Sequence, residues 1–361
     1  MAATDFVEID GSYLEGGGQA LRNALSLSCI LRKPVRVVNI RANRPNPGIS
    51  HQHLHGVKLL RDIADAEVVG NVINSTKLEF IPTTIRGGKY RVVAQTAASI
   101  TLIYQMALPV LLFAGGASQV DATGGTNVGF APQVEYMKQV LLPNLMRFGI
   151  TFELKLLHHG FFPRGNGRCL LDVKPVNLIK AGQLNKFGQL DNVAGVAYCG
   201  GRLPMSIALD MQQTARREIH RLWPSQDCNI ETKKLPFDIA SDNGAGILVT
   251  AHTTSGCVLG SGAVGERKMH GHLLGSNAAC KLTEYVRKEV CIDANMQDQL
   301  IIYMALASGC SRMLTGPLTK HTRTAIHVAE QLTGVKFEVT IESCGQTLVT
   351  CEGLGRLNEL I

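Results

Sequence analysis

The chain has 361 residues, of which 45% are hydrophobic and 18% are charged. This composition excludes a disordered or collagen-like chain, and the length predicts two to three domains or one large α/β body. Aromatic residues make up only 5% of the chain, which argues against a binder built on rows of stacking rings, whereas the net charge of +7 suggests an anionic partner.

Hydrophobic periodicity predicts alternating strands and helices along the first half of the chain. The predicted elements are a strand at 6–10, a helix after 16–18, a strand at 35–40, a helix at 50–64, strands at 77–81 and 90–94, a helix at 97–113, a strand at 119–122, a helix at 132–148, and strands at 151–157 and 168–174. This order gives a β-α-β-α-β-β unit about twice and indicates an α/β repeat architecture.

The pattern changes after residue 178, where the chain becomes polar and rich in glycine. The predicted elements that follow are a helix at 204–222, strands at 245–251 and 256–260, helices at 272–289, 297–309 and 322–333, and strands at 335–342 and 346–351. We therefore predict three parts: residues 1–183 as the first two repeat units, 184–284 as a smaller inserted α/β domain, and 285–361 as the final part of the repeat body.

The sequence shows neither a cysteine pattern typical of disulfides or zinc sites nor a segment typical of targeting or membrane insertion. The ten cysteines show no C-x-x-C spacing, so we expect reduced intracellular thiols rather than a disulfide framework or a zinc site. The N-terminal residues have neither a basic region nor an apolar core, which predicts no signal peptide. The longest apolar stretch, 106–117, is broken by Pro109 and is too short to cross a bilayer. We expect no membrane partner.

Two common nucleotide-binding loops are not supported. The Walker A pattern is missing from the sequence. Gly260-Ser-Gly-Ala-Val-Gly265 fits G-x-G-x-x-G, but no helix is predicted directly behind it, so we interpret it as a glycine-rich turn. A nucleotide, if one is used, must be held in another way.

Positive charge is concentrated between residues 16 and 60. This stretch has no Asp or Glu, and its basic residues are Arg22, Arg32, Lys33, Arg36, Arg41, Arg44 and Lys58. The alternatives are a solvated basic face and a groove for a polyanion. We favour the groove, because Arg41 and Arg44 follow a predicted strand, loops at strand ends hold binding residues, and guanidinium groups fit phosphate oxygens.

Two loops and one histidine are candidates for chemistry. Glu15 precedes three glycines that let backbone N–H groups approach an anion at a helix start, and Glu15 could hold a divalent metal; a plain tight turn is an equal alternative. Gly124-Gly-Thr-Asn127 is a second small-residue loop before a helix. His321 lies at a helix start that Thr322 is predicted to cap, where a neutral imidazole could act as a nucleophile; a surface histidine is the alternative.

Taken together, these motifs resemble the RNA 3′-terminal phosphate cyclase family over nearly the whole chain, and specifically its active branch. The sequence motifs that carry the resemblance are Glu15-Gly-Gly-Gly-Gln19-x-x-Arg22, Arg41-Ala-x-Arg44 with Gln52-His53, Gly124-Gly-Thr-Asn127 with Ala131-Pro132, His159-Gly-Phe-Phe-Pro163, Asp298-Gln299 and His321-x-x-Thr324. The resemblance implies β-α-β-α-β-β repeats around a shared core, with one small inserted domain.

The resemblance also implies a reaction. The family's histidine, matching His321, attacks the α-phosphate of ATP and forms a histidine-linked AMP. The AMP passes to the 3′-phosphate of an RNA, the adjacent 2′-OH attacks that phosphorus, and a 2′,3′-cyclic phosphate remains. We expect the RNA end to be held by its phosphate more than by stacked bases. We also expect an intracellular, nuclear location and a role in RNA end processing.

Roles for individual residues follow from the same resemblance. Glu15 is implied to lie near a divalent metal, Mg²⁺ or Mn²⁺. The residues implied to clamp the substrate phosphate are Arg22, Arg41, Arg44, Gln52 and His53. The residues implied to surround the nucleotide are Gln105, Pro132, Asp298 and Gln299.

Two positions depart from the family's usual pattern. Asn166 replaces the middle glycine of a glycine loop, and Asn tolerates the left-handed backbone that such a turn needs. Asn295 stands where some members have an aromatic ring that packs on adenine, which leaves adenine packing open. The alternatives to a cyclase are a ribosome assembly factor of the same fold, whose branch lacks the histidine, and an enolpyruvyl transferase, which would not have the His321 motif.

Overall fold

The computed structural model describes residues 5–94, 96–266 and 269–361. Its strands form four sheets within these ranges. Sheet 1 contains β1 (Val7–Asp10), β2 (Val35–Val38), β3 (Glu67–Val69) and β4 (Leu78–Ile81). Sheet 2 contains β5 (Gly88–Val93), β6 (Ser118–Gly124), β7 (Phe152–His158) and β8 (Gly167–Val173).

The other two sheets are built from the second half of the chain. Sheet 3 contains β10 (Leu190–Gly200), β11 (Cys228–Lys234), β12 (Gly244–Thr253) and β13 (Val258–Val264). Sheet 4 contains β9 (Gln183–Leu184), β14 (Ser308–Thr315), β15 (Phe337–Ile341) and β16 (Thr347–Leu354). Sheet 3 is thus inserted in sequence between the first two strands of sheet 4.

Helices separate the strands. The helices are α1 (Gln19–Leu31), α2 (His51–Ala64), α3 (Ile100–Leu111), α4 (Val134–Tyr136), α5 (Leu142–Met146), α6 (Ser206–Leu222), α7 (Gly271–Arg287), α8 (Gln297–Leu306) and α9 (Lys320–Thr333). A π-helical segment, Met137–Leu141, joins α4 to α5. None of the helices in the described part of the chain is long and apolar enough to span a membrane.

Sheets 1, 2 and 4 repeat one topology. Their strand orders are β1-β2-β4-β3, β5-β6-β8-β7 and β9-β14-β16-β15. In each sheet the first two strands are parallel, and the last two return antiparallel. The predicted α/β fold of β-α-β-α-β-β repeats with a smaller inserted unit is therefore confirmed. The division of the chain into domains at 183/184 and 284/285 stays a prediction.

The helices of the repeats share one core. α1 packs against α3 and α9, α2 packs against α3, and α8 packs against α9. α3 is buried along most of its length, and the fully buried Tyr104 donates a hydrogen bond to the carbonyl oxygen of Cys169 at 2.6 Å. Burial on nearly all sides is typical of a central helix.

Several strands differ from the predictions. The strands predicted at 77–81 and 90–94 as the end of one unit belong to different sheets, because β4 closes sheet 1 and β5 opens sheet 2. β3, which pairs with β4, was missed because it has only three residues and two of them are exposed. The polar stretches around 178–200 and 223–244 hold β9, β10 and β11, which pattern alone did not indicate.

The Gly260–Gly265 motif was wrongly interpreted as a turn. Residues 258–264 form β13, which pairs antiparallel with β12. A Cβ atom on Gly260 would lie 2.5 Å from Cγ2 of Val140 and 2.9 Å from Cε2 of Tyr136. Glycine in this strand therefore permits the close approach of α4 and of the π-helical segment after it, which is a structural use rather than phosphate binding.

Candidate active site

Glu15 and the glycines after it form the turn that leads into α1. Gly16 has a left-handed backbone (φ +57°), and Gly18 is the N-cap of α1. A Cβ atom on Gly18 would clash with Nε2 of His53, and one on Gly17 would lie 3.0 Å from Nη2 of Arg44. Glycine at these positions lets the imidazole and the guanidinium approach the backbone at the start of α1.

The start of α9 places His321 in the first helical turn. The N-cap is Thr319, whose hydroxyl accepts a hydrogen bond from the N–H of Thr322 at 3.1 Å. The prediction that Thr322 caps this helix was wrong, because Thr322 lies inside the first turn and donates to Oε1 of Gln297 at 2.8 Å. Oε1 of Gln297 also accepts from the N–H of Thr319 at 3.1 Å, so α8 holds the start of α9.

Glu15 connects the two helix starts. Its Oε2 lies 3.1 Å from Nε2 of His321, and its Oε1 accepts a hydrogen bond from Nη2 of Arg44. The side chain of His321 is 44% exposed and that of Glu15 is 25% exposed, so the pair lies at a surface that a substrate can reach. The motifs around Glu15, Arg44 and His321, which are far apart in sequence, therefore meet at one place.

Burial and nearby arginines favour the neutral imidazole of His321, and they act against the Glu15 carboxylate, which favours a proton on Nε2. Burial lowers the pKa of His321, Asp298 opposes this shift, and Arg22 and Arg44 reinforce it. The net direction is downward, and the first-turn position on α9 acts the same way because the positive end of the helix dipole disfavours a cation. A neutral imidazole has a nitrogen lone pair, which is the requirement for a nucleophile.

A small pocket lies between the starts of α1 and α8 and the middle of α3. The residues that line it are Gln19, Arg22, Asn23, Gln105, Leu108, Leu141, Asp298, Gln299, Ile302 and Tyr303. The structure thus brings Gln105, Asp298 and Gln299 together with Arg22. Burial raises the pKa of Asp298, while Arg22 and His321 lower it.

Several polar atoms of this region have no hydrogen-bond partner among the described residues. These atoms are Nε of Arg22, Nδ2 of Asn23, Nε2 of His53 and Oε1 of Gln299. A buried polar group without a partner costs free energy. Unpaired donors beside Arg22 are a fitting environment for the oxygens of an anionic substrate.

His53 is nearly fully buried behind the turn at Gly18. Its Nδ1 is hydrogen-bonded to Oγ of Ser50 at 2.7 Å. Burial lowers the pKa of His53 to about 3, and the charges of Arg22 and Arg41 contribute to the shift. The side chain is therefore neutral at physiological pH, with Nε2 directed towards the start of α1.

Gln52 and Pro132 lie beside the pocket rather than in its lining. Oε1 of Gln52 accepts from the backbone N–H of Ser99 at 3.2 Å, and Oγ of Ser99 is 2.8 Å from Oγ1 of Thr101. Thr101 in turn donates to the carbonyl oxygen of Pro132 at 2.8 Å. This chain of contacts joins the N-terminus of α2 to the loop that carries Pro132.

The basic stretch divides into two groups. Arg36 pairs with Glu79 at 2.9 Å, Arg32 lies 3.8 Å from Glu359, and Lys33 donates to a carbonyl of α9. Arg41 has a left-handed backbone (φ +53°), and its guanidinium donates to the carbonyl oxygen of Gly48 at 2.9 Å. Arg22 and Arg41 act on His53, and Arg44 approaches Gly17, so these three arginines lie near the start of α1. We call the surface around them the groove.

The carboxylate at the site suits a metal ion that is bound jointly by the protein and by the phosphates of a substrate. The described residues contain no cluster of three or more His, Cys, Asp or Glu side chains that could hold an ion. Glu15 supplies one carboxylate, next to the groove formed by Arg22, Arg41 and Arg44. Mg²⁺ is commonly bound by one or two carboxylates, several waters and substrate phosphates, so a metal of this kind fits Glu15.

A buried polar joint was missed by the sequence reasoning. Nδ2 of Asn127 donates to Oε2 of Glu135 and to the hydroxyl of Tyr198, each at 2.6 Å. Nδ1 of His159 lies 3.7 Å from Oε1 of Glu135. The joint links the loop after β6 of sheet 2 to β10 of sheet 3, and the motifs at 124–127 and 159–163 are joined beside it by the hydrogen bonds of Thr126 with Gly160.

The turn at Asn166 forms despite the replaced glycine. Asn166 has a left-handed backbone (φ +58°), as the sequence reasoning expected of an Asn in this position. Asn295 is exposed, and its carbonyl oxygen accepts a hydrogen bond from Nε2 of Gln299 at 2.6 Å. Asn295 therefore holds Gln299 in place through its backbone.

Comparisons with known proteins agree with this geometry. Residues 13–339 match the family model of RNA 3′-terminal phosphate cyclase. The chain is 65% identical to an RNA 3′-terminal phosphate cyclase of Drosophila melanogaster over all of both chains. It is 38% identical to one of Pyrobaculum aerophilum, covering 97% of this chain and 99% of that protein.

A solved structure of the enolpyruvyl transferase NikO from Streptomyces tendae is a far weaker match. Its TM-score is 0.39 at 10% identity, covering 98% of this chain and 50% of that one. This likeness carries no argument about fold or function. The family model and the sequence relatives, in contrast, span the same helix starts that assemble the site. This chain belongs to the RNA 3′-terminal phosphate cyclase family and is an enzyme of that class.

Proposed function

We propose that this enzyme converts an RNA 3′-phosphate into a 2′,3′-cyclic phosphodiester through a histidine-AMP intermediate, with ATP as co-substrate. The observation that carries the proposal is His321, a neutral and partly exposed imidazole at a helix start, bonded to Glu15 and flanked by Arg22 and Arg44. Cyclase family membership supports the overall reaction, and the site geometry supports the covalent step.

The proposed reaction has three steps. A nitrogen of His321 attacks the α-phosphorus of ATP, the N–P bond forms, and pyrophosphate leaves as the bond to the β-phosphate oxygen breaks. An oxygen of the RNA 3′-phosphate then attacks the same phosphorus, which releases His321 and gives an RNA-adenylate. The 2′-OH finally attacks the 3′-phosphorus, loses its proton to solvent, and expels AMP.

The arginines bind and orient phosphate in these steps. Arg44 donates a hydrogen bond to Glu15, and a Cβ atom on Gly17 would lie 3.0 Å from its Nη2, so it lies beside the start of α1. Arg22 lies in the lining of the pocket, and its charge acts on both His53 and Asp298. Fixed positive charge that surrounds the reacting phosphorus stabilises the charge that develops there.

The pocket between α1, α3 and α8 is the proposed nucleotide site. Asp298 and the unpaired Oε1 of Gln299 can accept hydrogen bonds, and Nδ2 of Asn23 can donate one. Glu15 would hold Mg²⁺ or Mn²⁺, and a bound metal supplies charge that offsets the negative charge of the phosphates. Nuclear location and a role in RNA end processing stay predictions.

Labelling with ATP tests the covalent step. Incubation of the protein with α-labelled ATP and Mg²⁺ or Mn²⁺ should give acid-labile label on the wild type and none on His321→Ala. His327→Ala is a matched control, because His327 lies on the same helix and stacks on Tyr13. A wild type that takes up no label with either metal would overturn the proposed mechanism.

A further inference from the structure

Three loops meet at one end of sheet 2. Their described residues follow the carboxyl ends of β5, β6 and β7 and are 94 and 96–99, 125–132 and 159–166. The N–H of Thr126 donates to the carbonyl oxygen of Gly160 at 2.9 Å, and the N–H of Gly160 donates to Oγ1 of Thr126 at 2.9 Å. A Cβ atom on Gly165 would lie 2.8 Å from the carbonyl oxygen of Thr96, so the three loops are packed on one another.

The loop between β6 and α4 presents Phe130 to solvent. Its ring is fully exposed, and its backbone is left-handed (φ +61°), which is an unusual conformation for a bulky residue. The loop is anchored at both ends, because the N–H of Val134 bonds to the carbonyl oxygen of Thr126 and the N–H of Ile100 bonds to that of Gly125. A strained backbone in an anchored loop indicates a constraint other than packing.

The loop between β7 and β8 presents a second ring. Phe162 is 77% exposed, although its neighbour Phe161 is buried and packs near Tyr198. Arg164 follows at the tip, with its side chain 73% exposed and one nitrogen 3.4 Å from Oδ1 of Asp242. This end of sheet 2 therefore exposes two aromatic rings and a guanidinium, which is the side-chain chemistry that binds single-stranded nucleic acid.

The same loops are continuous with the candidate active site. Ser99, in the first loop, donates its N–H to Gln52, which is next to His53, and Pro132 follows Phe130 by two residues. We propose that Phe130 and Phe162 form a stacking site for the bases of the RNA strand immediately upstream of its 3′-phosphate. This inference rests on the proposed cyclisation of RNA ends.

The physical argument concerns the direction in which a substrate must leave the groove. The terminal phosphate is held near Arg22 and Arg44, so the remaining strand has to run out across the adjoining surface. Every base has an aromatic face, and stacking on a protein ring is tolerant of sequence. Two rings are enough to orient one or two bases, which is compatible with the low aromatic content of the chain.

Variants of the two rings test the proposal. We compare the wild type with the double variant Phe130→Ala/Phe162→Ala on a 3′-phosphorylated oligonucleotide of about ten nucleotides and on a 3′-phosphorylated dinucleotide. KM for the longer RNA should rise about 5- to 100-fold in the variant. Self-adenylylation with ATP alone should stay at the wild-type rate, and the change in KM for the dinucleotide should be smaller.

Two controls separate stacking from a general loss of structure. Phe130→Tyr keeps a ring and should retain the wild-type KM. Met146 is the last residue of α5, which leads into the start of β7 at the opposite end of sheet 2. Met146→Ala removes an exposed apolar side chain there and should also leave KM unchanged. An RNA with abasic positions next to its 3′ end should bind the wild type and the double variant equally, because it has no base to stack.

Each remaining outcome contradicts the inference in a recognisable way. An unchanged KM for the longer RNA in the double variant would overturn it. Slower self-adenylylation with an unchanged KM for RNA would mean that the rings contact the adenine of ATP instead. A wild type that neither labels with ATP nor cyclises any RNA would contradict the proposed function itself. This result is distinguishable from failure of the inference, because it is measured on the wild type alone.

Discussion

The buried imidazole of His53 makes the stability of the fold depend on pH. Its pKa is lowered to about 3 in the folded chain, whereas an unfolded histidine has a pKa near 6.5. As the pH falls below 6.5, the unfolded chain binds a proton that the folded chain does not, so the free energy of unfolding decreases. We expect the titration of this residue to lower the free energy of unfolding by about 2 kcal/mol between pH 7 and pH 5, as measured by urea unfolding.

Replacement of the titrating group isolates this effect. In His53→Asn the contribution of residue 53 to the pH dependence disappears, so the difference in free energy of unfolding from the wild type should shrink as the pH falls. His51→Asn, at an exposed position on the same helix, is the matched control for the loss of an imidazole. A difference between His53→Asn and the wild type that is constant from pH 7 to pH 5 would contradict the assignment.

Asp298 should tune the proton affinity of His321. The carboxylate raises the pKa of the imidazole against the larger effect of burial. Asp298→Asn removes this charge, so the pKa of His321 should fall further and the neutral form should persist to lower pH. An NMR titration of the His321 ring detects this shift without requiring activity. A constant pKa in the variant would show that the two groups do not interact, and a raised pKa would contradict the proposed direction.

At the scale of elements, Gln297 joins α8 to the start of α9. Its side chain bonds to Thr315, Thr319 and Thr322, and it is buried. Gln297→Leu would leave these groups without their partner, which should lower the free energy of unfolding by about 1–3 kcal/mol. Because the start of α9 positions His321, self-adenylylation should also slow.

Gln331→Leu is the matched control on α9. Gln331 donates to the carbonyl oxygen of Glu8 at an exposed position, so its loss should change stability by less than about 1 kcal/mol. Urea unfolding and ATP labelling of the two variants give the comparison. Equal effects of the two substitutions would remove any special role for Gln297.

Elements with strong local signals were predictable from the sequence. The repeated order of strands and helices followed from hydrophobic periodicity, and the helix that carries His321 was expected at 322–333 and begins at Lys320. The cap was misassigned because both Thr319 and Thr322 suit the position, and only the contact with Gln297 distinguishes them. An N-cap is usually determined by the local sequence, but here a contact with α8 determines which of the two threonines caps α9.

Elements that depend on distant partners were not predictable. β14 has the polar sequence Ser308–Thr315, and it forms because β9 and β16 pair with its two sides. The joint between Asn127 and Tyr198 connects residues 71 positions apart, and the loop motif at Asn127 does not indicate its partner. The candidate site residues could be identified from the sequence motifs. Only the fold shows that Gln52 and Pro132 lie outside the lining of the pocket.

At the scale of the whole molecule, the net charge of +7 is not spread evenly over the surface. Arg32 and Arg36 are paired with carboxylates, whereas Arg41 bonds only to a backbone oxygen among the described residues. Charges that remain available to phosphate determine the salt dependence of binding, because bound phosphate releases counterions. The paired arginines should therefore contribute little to it.

The salt dependence of RNA binding tests this division. The slope of log Kd against log salt, measured by fluorescence anisotropy with a 3′-phosphorylated RNA, should fall by about 0.7 in Arg41→Ala, as expected for one lost contact with a single strand. Arg36→Ala should keep the wild-type slope, because its guanidinium is engaged by Glu79. An RNA ending in a 3′-OH should bind Arg41→Ala and the wild type with the same slope, since the contact is with the terminal phosphate. Equal slopes for all three proteins on the phosphorylated RNA would place Arg41 outside the substrate groove.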